Sequence, residues 1–193
     1  MKVLWFDVET TGLDPKLNDI VSIAMLIEID GQVKEELYLK IQPTNWNNIS
    51  EEALKVNGFT LETLKTFMPP KEAHKQIVAF FSKYVDKYKK NKTSEDKLTP
   101  SGYNVLFDIS FLGEFFKKCG DNYFGAFVDY HKLDIASIVL FLKLNKKIDL
   151  QGFKLLDVAN YLQADIVAHD ALSDIRATRE IAYKLINKIE FKN

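Results

Sequence analysis

Val3-Leu4-Trp5-Phe6-Asp7-Val8-Glu9 is apolar on both alternating faces until its end, the pattern of a central strand buried on two sides. Thr11 to Asp19, with Gly12 and Asp14-Pro15, reads as a turn. Ile20 to Ile29 and Val33 to Ile41 are two more strand-like runs, and Asp30-Gly31 between them is a strong hairpin signal. The chain therefore opens as a three-stranded antiparallel unit.

Beyond this unit the spacing of apolar residues predicts helices. Ser50-Glu51-Glu52-Ala53 and Thr60-Leu61-Glu62-Thr63 look like helix starts, separated by Asn57-Gly58. Ala73 to Tyr88 carries Ile77, Val78, Phe81, Tyr84, Val85 and Tyr88 at amphipathic spacing. Its lysine-rich tail, Lys83 to Lys97, reads as a helix end and a surface loop. Strands are expected at Leu98 to Leu106 and Phe127 to Leu133, and helices at Asp108 to Cys119, Ile135 to Leu144, Lys154 to Leu162 and Asp170 to Lys188. A hairpin unit followed by strand–helix alternation predicts an α/β fold, a mixed sheet covered by helices. With 193 residues, no internal repeat and no dividing linker, one domain spanning 1–193 is expected.

Composition narrows the class. An apolar fraction of 47% with 27% charged residues fits a globular protein and excludes a disordered tail, a collagen-like chain or a disulfide miniprotein. The 26 basic and 27 acidic residues leave a formal charge of −1, so no bulk attraction to nucleic acid exists. Cys119, the one cysteine, cannot close an intramolecular disulfide, which points to a reducing compartment. The chain start lacks the apolar stretch of a signal peptide, and no run approaches a membrane span, so a cytoplasmic protein without membrane contact is expected.

Four acids and a histidine stand out. Asp7 and Glu9, two apart on a strand, project to the same face at its carboxyl end, where open α/β sheets place their sites. They either reach solvent at the strand's edge or need a cation to neutralise them. Asp108 shares the stripe of Phe111, Leu112, Phe115 and Cys119; it is either a helix N-cap or a carboxylate on the buried face. Asp174 repeats this in the last helix, on a face with Ala171, Ala177, Thr178, Ile181 and Leu185, and His169 stands five residues before it. Taken alone, that histidine would be a surface or internally satisfied residue. Together, four carboxylates form an oxygen-only donor set suited to Mg²⁺ or Mn²⁺ rather than zinc. Two such ions about 3.5–4 Å apart can clamp an in-line displacement at phosphate. Asp129, His131 and Asp134 form a second cluster; alternation would put the first two on one strand face and Asp134 at a helix N-cap.

Phe6-Asp7-Val8-Glu9-Thr10-Thr11-Gly12-Leu13, Asn104-Val105-Leu106-Phe107-Asp108-Ile109-Ser110-Phe111-Leu112 and His169-Asp170-Ala171-Leu172-Ser173-Asp174 resemble the three motifs of the DEDDh, or DnaQ-like, 3′→5′ exonucleases, the family of the DNA polymerase III proofreading exonuclease. The related DEDDy enzymes carry a tyrosine four residues before the last aspartate, where this chain has Asp170. The resemblance implies a ribonuclease H-like five-stranded sheet, antiparallel in its first three strands and then parallel, flanked by helices.

By the same resemblance, Asp7 would bridge two metal ions, Glu9 and Asp174 would hold the one carrying the nucleophilic water, and Asp108 would support the other. His169 would take the water's proton as general base. Thr10, Thr11, Leu13, Asn57 and Phe107 are the implied substrate-binding positions, with Leu13 as an apolar wedge. The segment Ile49 to Phe59 would border the substrate. The family often has histidines where this chain has Asn57 and Tyr103. The implied activity is hydrolysis of terminal phosphodiesters of DNA, favoured as a single strand, to nucleoside 5′-monophosphates in proofreading or end trimming. An RNA-processing enzyme of the oligoribonuclease or RNase T type is the alternative. An inactive accessory subunit would be missing an acid, and none is missing. Any polymerase partner would be a separate chain. Two divalent ions would bring the chain's formal charge from −1 to +3 and place positive charge where the scissile phosphate sits, while a chain this neutral is expected to hold long nucleic acid weakly and trim distributively.

Overall fold

The computed structural model describes residues 1–166 and 171–188. Its sheet has five strands: β1 (Lys2–Thr10), β2 (Ile20–Ile29), β3 (Gln32–Lys40), β4 (Thr99–Gly102) and β5 (Leu133–Asp134). The helices are α1 (Glu51–Asn57), α2 (Leu61–Leu64), α3 (Pro70–Ser82), α4 (Leu106–Lys118), α5 (Phe124–Phe127), α6 (Ile135–Leu144), α7 (Leu155–Leu162) and α8 (Ala171–Ile186). The strand order is β3-β2-β1-β4-β5. β1, β2 and β3 pair antiparallel, and β4 and β5 run parallel to β1, as expected from sequence.

β1 is central because both of its faces are apolar. Leu4, Phe6 and Val8 pack into one layer with Ile77, Phe81, Phe111 and Phe116 of α3 and α4. Val3 and Trp5, on the other face, pack with Val139, Val158 and Ile181 of α6, α7 and α8. The hairpin at Asp30-Gly31 forms with φ of 50° and 80°, the left-handed conformations its turn demands. At the opposite end the pairing slips: Glu9 faces Ser22 but Thr10 faces Ile20, leaving Val21 as an extra residue. Such bulges re-aim side chains at a sheet's end.

Helix α8 is locked to the sheet by a polar cluster around the buried Glu28. Glu28 of β2 accepts from Trp5 Nε1 at 3.2 Å, from Arg179 Nε and from the Tyr183 hydroxyl. Arg179 also donates to the Gly31 carbonyl at 3.1 Å. Trp5 sits on β1 and both Arg179 and Tyr183 on α8, so one carboxylate ties three elements together.

Three local expectations are corrected. The helix expected at Ala73 to Tyr88 runs from Pro70 to Ser82, because Lys83 and Tyr84 leave it to bond Glu35 of β3. The strand expected at Leu98 to Leu106 stops at Gly102, since Asn104 turns left-handed (φ 60°) and its N–H is held by Asp134 at 2.8 Å. The strand expected at Phe127 to Leu133 is instead the end of α5, a turn and the two-residue β5. There Asp129 accepts from the His131 N–H at 2.8 Å, a turn that breaks extension. The last helix is described only from Ala171, so its expected start at Asp170 lies outside the described residues. Among the described residues no helix is long and apolar enough to cross a membrane.

Candidate active site at the carboxyl end of the central strand

Asp7 and Glu9 leave β1 on the face that packs against α8, following Val3 and Trp5 by alternation. Asp108 arrives from the opposite layer. It is the third residue of α4, whose N-cap is Val105, so the N-cap reading is wrong and the buried-face reading right. Its Oδ1 accepts the Val8 N–H at 3.0 Å, which hooks the carboxylate onto β1 between Asp7 and Glu9. Asp174 lies in the first turn of α8, beside the buried Ala171, Ile175 and Thr178. Gly102 permits this crowding: a Cβ there would stand 3.0 Å from the Phe6 carbonyl oxygen.

The electrostatics show the acids converging. Burial, followed by the charges of Asp108, Glu9 and Asp174, holds Asp7 well above the usual carboxylate range. Burial and then Asp174 push Glu9 up to about 7. Burial pushes Asp108 to about 8 against the opposing hydrogen bond from Val8, with Glu9 and Asp134 adding to the rise. All the side-chain charges acting on Asp7 are themselves acids. Among the described residues no three such groups close into a ready-made metal cage. The donor chemistry nonetheless fits a hard divalent cation: oxygen atoms only, crowded enough to repel one another until a positive charge enters. His169 lies outside the described residues.

The turn after β1 is built from internal bonds. Thr10 Oγ1 donates to the Gly12 carbonyl at 2.6 Å, and Thr11 Oγ1 accepts the Asp19 N–H at 2.9 Å. Both threonines are buried. Asn57 Nδ2 donates to the Thr10 carbonyl at 3.2 Å, and the Ser50 N–H to that of Thr11 at 2.8 Å, fastening α1 to the turn. Gly12 is required, since a Cβ would lie 2.6 Å from the Asn18 amide group. Leu13 projects outward at 85% exposure. Beside Glu9 opens a largely apolar groove of about 470 Å³, walled by Leu13, Ala53, Val56 and Phe107.

Asp129, His131 and Asp134 do not share a strand face. His131 Nδ1 pairs with Asp129 at 2.7 Å, whereas Asp134 takes the Asn104 N–H and the Ser137 hydroxyl. Asp134 does occupy the N-cap position of α6. Tyr103 is turned to the Phe153 carbonyl, and burial with Asp134 and Asp157 pushes its phenol to about 12. What sequence reasoning missed is the Glu28 cluster that sets the position of α8; its signal was a lone acid inside the apolar run Ile20 to Ile29.

Comparison with known proteins agrees with this geometry. The chain is 25% identical over 185 residues to the DNA polymerase III PolC-type proteins of Thermotoga maritima and Thermotoga petrophila, covering 95% of this chain and 12% of those relatives' length. Its fold is similar to Escherichia coli exonuclease I in complex with a dT13 oligonucleotide (TM-score 0.77, 19% identity, 96% of this chain and 41% of that one). It is also similar to exonuclease I of Methylocaldum szegediense (TM-score 0.74, 20% identity, 97% and 40%). The sequence model of the RNase T family, described as exonuclease, matches residues 4–182. A match that runs from β1 into α8, through the elements that carry all four acids, shows that the chain belongs to this exonuclease family.

Proposed function

We propose that this exonuclease trims single-stranded DNA from its 3′ end, releasing nucleoside 5′-monophosphates with the help of bound divalent cations. The observation that carries the reading is the meeting of acids at the end of β1, where Asp7 and Glu9 share a face and Asp108 is hooked between them onto the Val8 N–H at 3.0 Å. Two Mg²⁺ or Mn²⁺ ions held by Asp7, Glu9, Asp108 and Asp174 would supply positive charge against the phosphate and activate a water.

The chain's own residues do the rest. Asp108, bonded to the Val8 N–H, keeps the carboxylates of two layers in register. His169 takes a proton from the attacking water at an imidazole nitrogen, the usual role of a histidine general base. Leu13 and Phe107 grip the terminal base across the apolar groove. Thr10, Thr11 and Asn57 act one step back, by holding the shape of the turn that presents Leu13. DNA as substrate and a polymerase setting draw support from the DNA polymerase relatives and the oligonucleotide-bound neighbour.

The test is direct. With Mg²⁺, a 5′-labelled single-stranded DNA should give a ladder shortening from its 3′ end, and EDTA should abolish it. A matched RNA strand run alongside reads the substrate class. An Asp7→Ala protein that trims as fast as the parent would overturn the reading.

A further inference from the structure

The densest positive charge lies at the other end of β1 from the carboxylates. Residues 83–97 hold six lysines against Asp86, Glu95 and Asp96, in a chain whose formal charge is −1. This segment borders a depression of about 520 Å³ whose walls include Lys2, Lys87, Tyr88 and Lys89. Lys2 opens β1, so seven residues of strand separate it from Glu9, about 23 Å at ~3.3 Å per residue. The depression is therefore outside the site described above.

Several of these lysines are engaged. Lys83 pairs with Glu35 and Lys89 with Asp96, Lys92 donates to the Ala126 carbonyl, and Lys2 donates to that of Tyr84. Lys87 and Lys90 have no acidic partner among the described residues. Lys87 Nζ instead stands 5.0 Å from the ring centroid of Tyr88, a tyrosine 81% exposed to solvent. A large ring standing in water with an acid-free cation against it serves no core. Surfaces that bind single-stranded nucleic acid combine these same parts, with cations along the phosphates and an exposed ring on which a base stacks. An acidic peptide would engage the lysines but leave the ring face without a role.

We propose that Lys87 and Tyr88 at the wall of the depression, with the exposed Lys90 two residues further along the chain, form a second single-strand contact that holds the nucleic acid upstream of the end being trimmed. This rests on the reading of the chain as an exonuclease acting on single strands. A strand long enough to reach both ends of the sheet is then held at two points, and its 3′ end sees the catalytic groove at a raised effective concentration. Charge asymmetry, rather than net charge, would thus decide how long a substrate stays.

The experiment compares the parent with a Lys87→Gln, Tyr88→Ser, Lys90→Gln protein, and with Lys90→Gln alone as the milder variant. Binding of a labelled DNA of about 20 nucleotides, longer than the ~4–16 that one single-strand module covers, is followed by fluorescence anisotropy in EDTA. Loss of two phosphate contacts should lower the slope of log K against log salt by about 1.4, and Lys90→Gln alone by about 0.7. With Mg²⁺, kcat/KM on the long strand should fall about tenfold or more, while a dinucleotide is cut at the parent rate. Unchanged binding and slope would overturn the contact, and so would displacement of the DNA by a polyglutamate of equal charge at equal concentration. A parent protein that cuts nothing but still shows the slope difference would sink the exonuclease reading and support the contact.

Discussion

Helix α8 treats the two ends of the β1–β2 pair in opposite ways. At one end it offers Glu28 the guanidinium of Arg179 and the phenol of Tyr183, and Trp5 adds a third donor. At the other it brings Asp174 toward Asp7 and Glu9, and Asp7 is pressed by Asp108 as well. Asp19, in the turn between β1 and β2, resembles Glu28: despite its burial, Lys118, Asn45 and Thr44 hold its carboxyl below the usual range. A buried acid that serves the fold is thus met by donors from the chain. The acids at the end of β1 are left to repel one another, an arrangement that costs stability and that a cation from solution would relieve.

The sharpest way to break this comparison is to neutralise one acid at each end. Asp7→Asn should lower kcat/KM by about 10³-fold or more, the several kcal/mol that metal-ion charge stabilisation is worth. In EDTA the same protein should melt a few degrees higher than the parent, because a repelling charge is gone. Glu28→Gln should do the reverse. Weakening the bonds that the partly exposed Arg179 and the Tyr183 hydroxyl make to this carboxylate should cost about 1.5–3 kcal/mol, read as a lower urea midpoint. If Asp7→Asn melts lower and Glu28→Gln melts unchanged, the contrast between the two ends is wrong.

Cation and pH titrations come next in size. Saturation with Mg²⁺ to about 100 times its Kd should stabilise the chain by about 2.7 kcal/mol, or about 5–10 °C in Tm. Raised pKa values mean that the folded chain keeps protons which the unfolded chain has already released. Stability from Asp7, Glu9 and Asp108 is therefore full below about pH 4 and lost as pH rises through the values of about 7 and 8 carried by Glu9 and Asp108. Without metal, Tm should fall between pH 5.5 and pH 8.5, and Mg²⁺ should flatten that fall; a flat metal-free profile would mean the acids do not press on one another. The smallest effect is at the groove. Leu13→Ala should raise KM about fivefold, on the order of 1 kcal/mol of apolar contact, and move Tm by less than about 2 °C because Leu13 is exposed.

Much of this was legible because it follows from local rules. β1 declares itself by apolar residues on both faces, and its terminal acids by their spacing of two. The Asp30-Gly31 hairpin and the Ser50 cap, whose hydroxyl accepts the Ala53 N–H at 3.3 Å, need only their own residues. The parts that were not legible depend on partners distant in sequence. Nothing local in Asp108 says whether it caps α4 or reaches Val8, one hundred residues away. Phe127 to Leu133 reads as a strand, but the Asp129 turn and the Asn104 N–H bond to Asp134 decide otherwise. Nor does anything local in Asn57 announce that its amide fastens α1 to the Thr10 carbonyl, forty-seven residues away.

The outer strands of the sheet carry a consequence for how this protein behaves when concentrated. β5 is only two residues long, and β3 presents Lys34, Glu35, Glu36 and Lys40 along its exposed length. Glu35 reaches Lys83 on one side of the sheet and Glu36 reaches Arg176 on the other, so both flanks of β3 are pinned by charge. A stranger's strand approaching this edge meets ionic side chains rather than a flat apolar ribbon. Clumping through added strands is thereby discouraged near neutral pH.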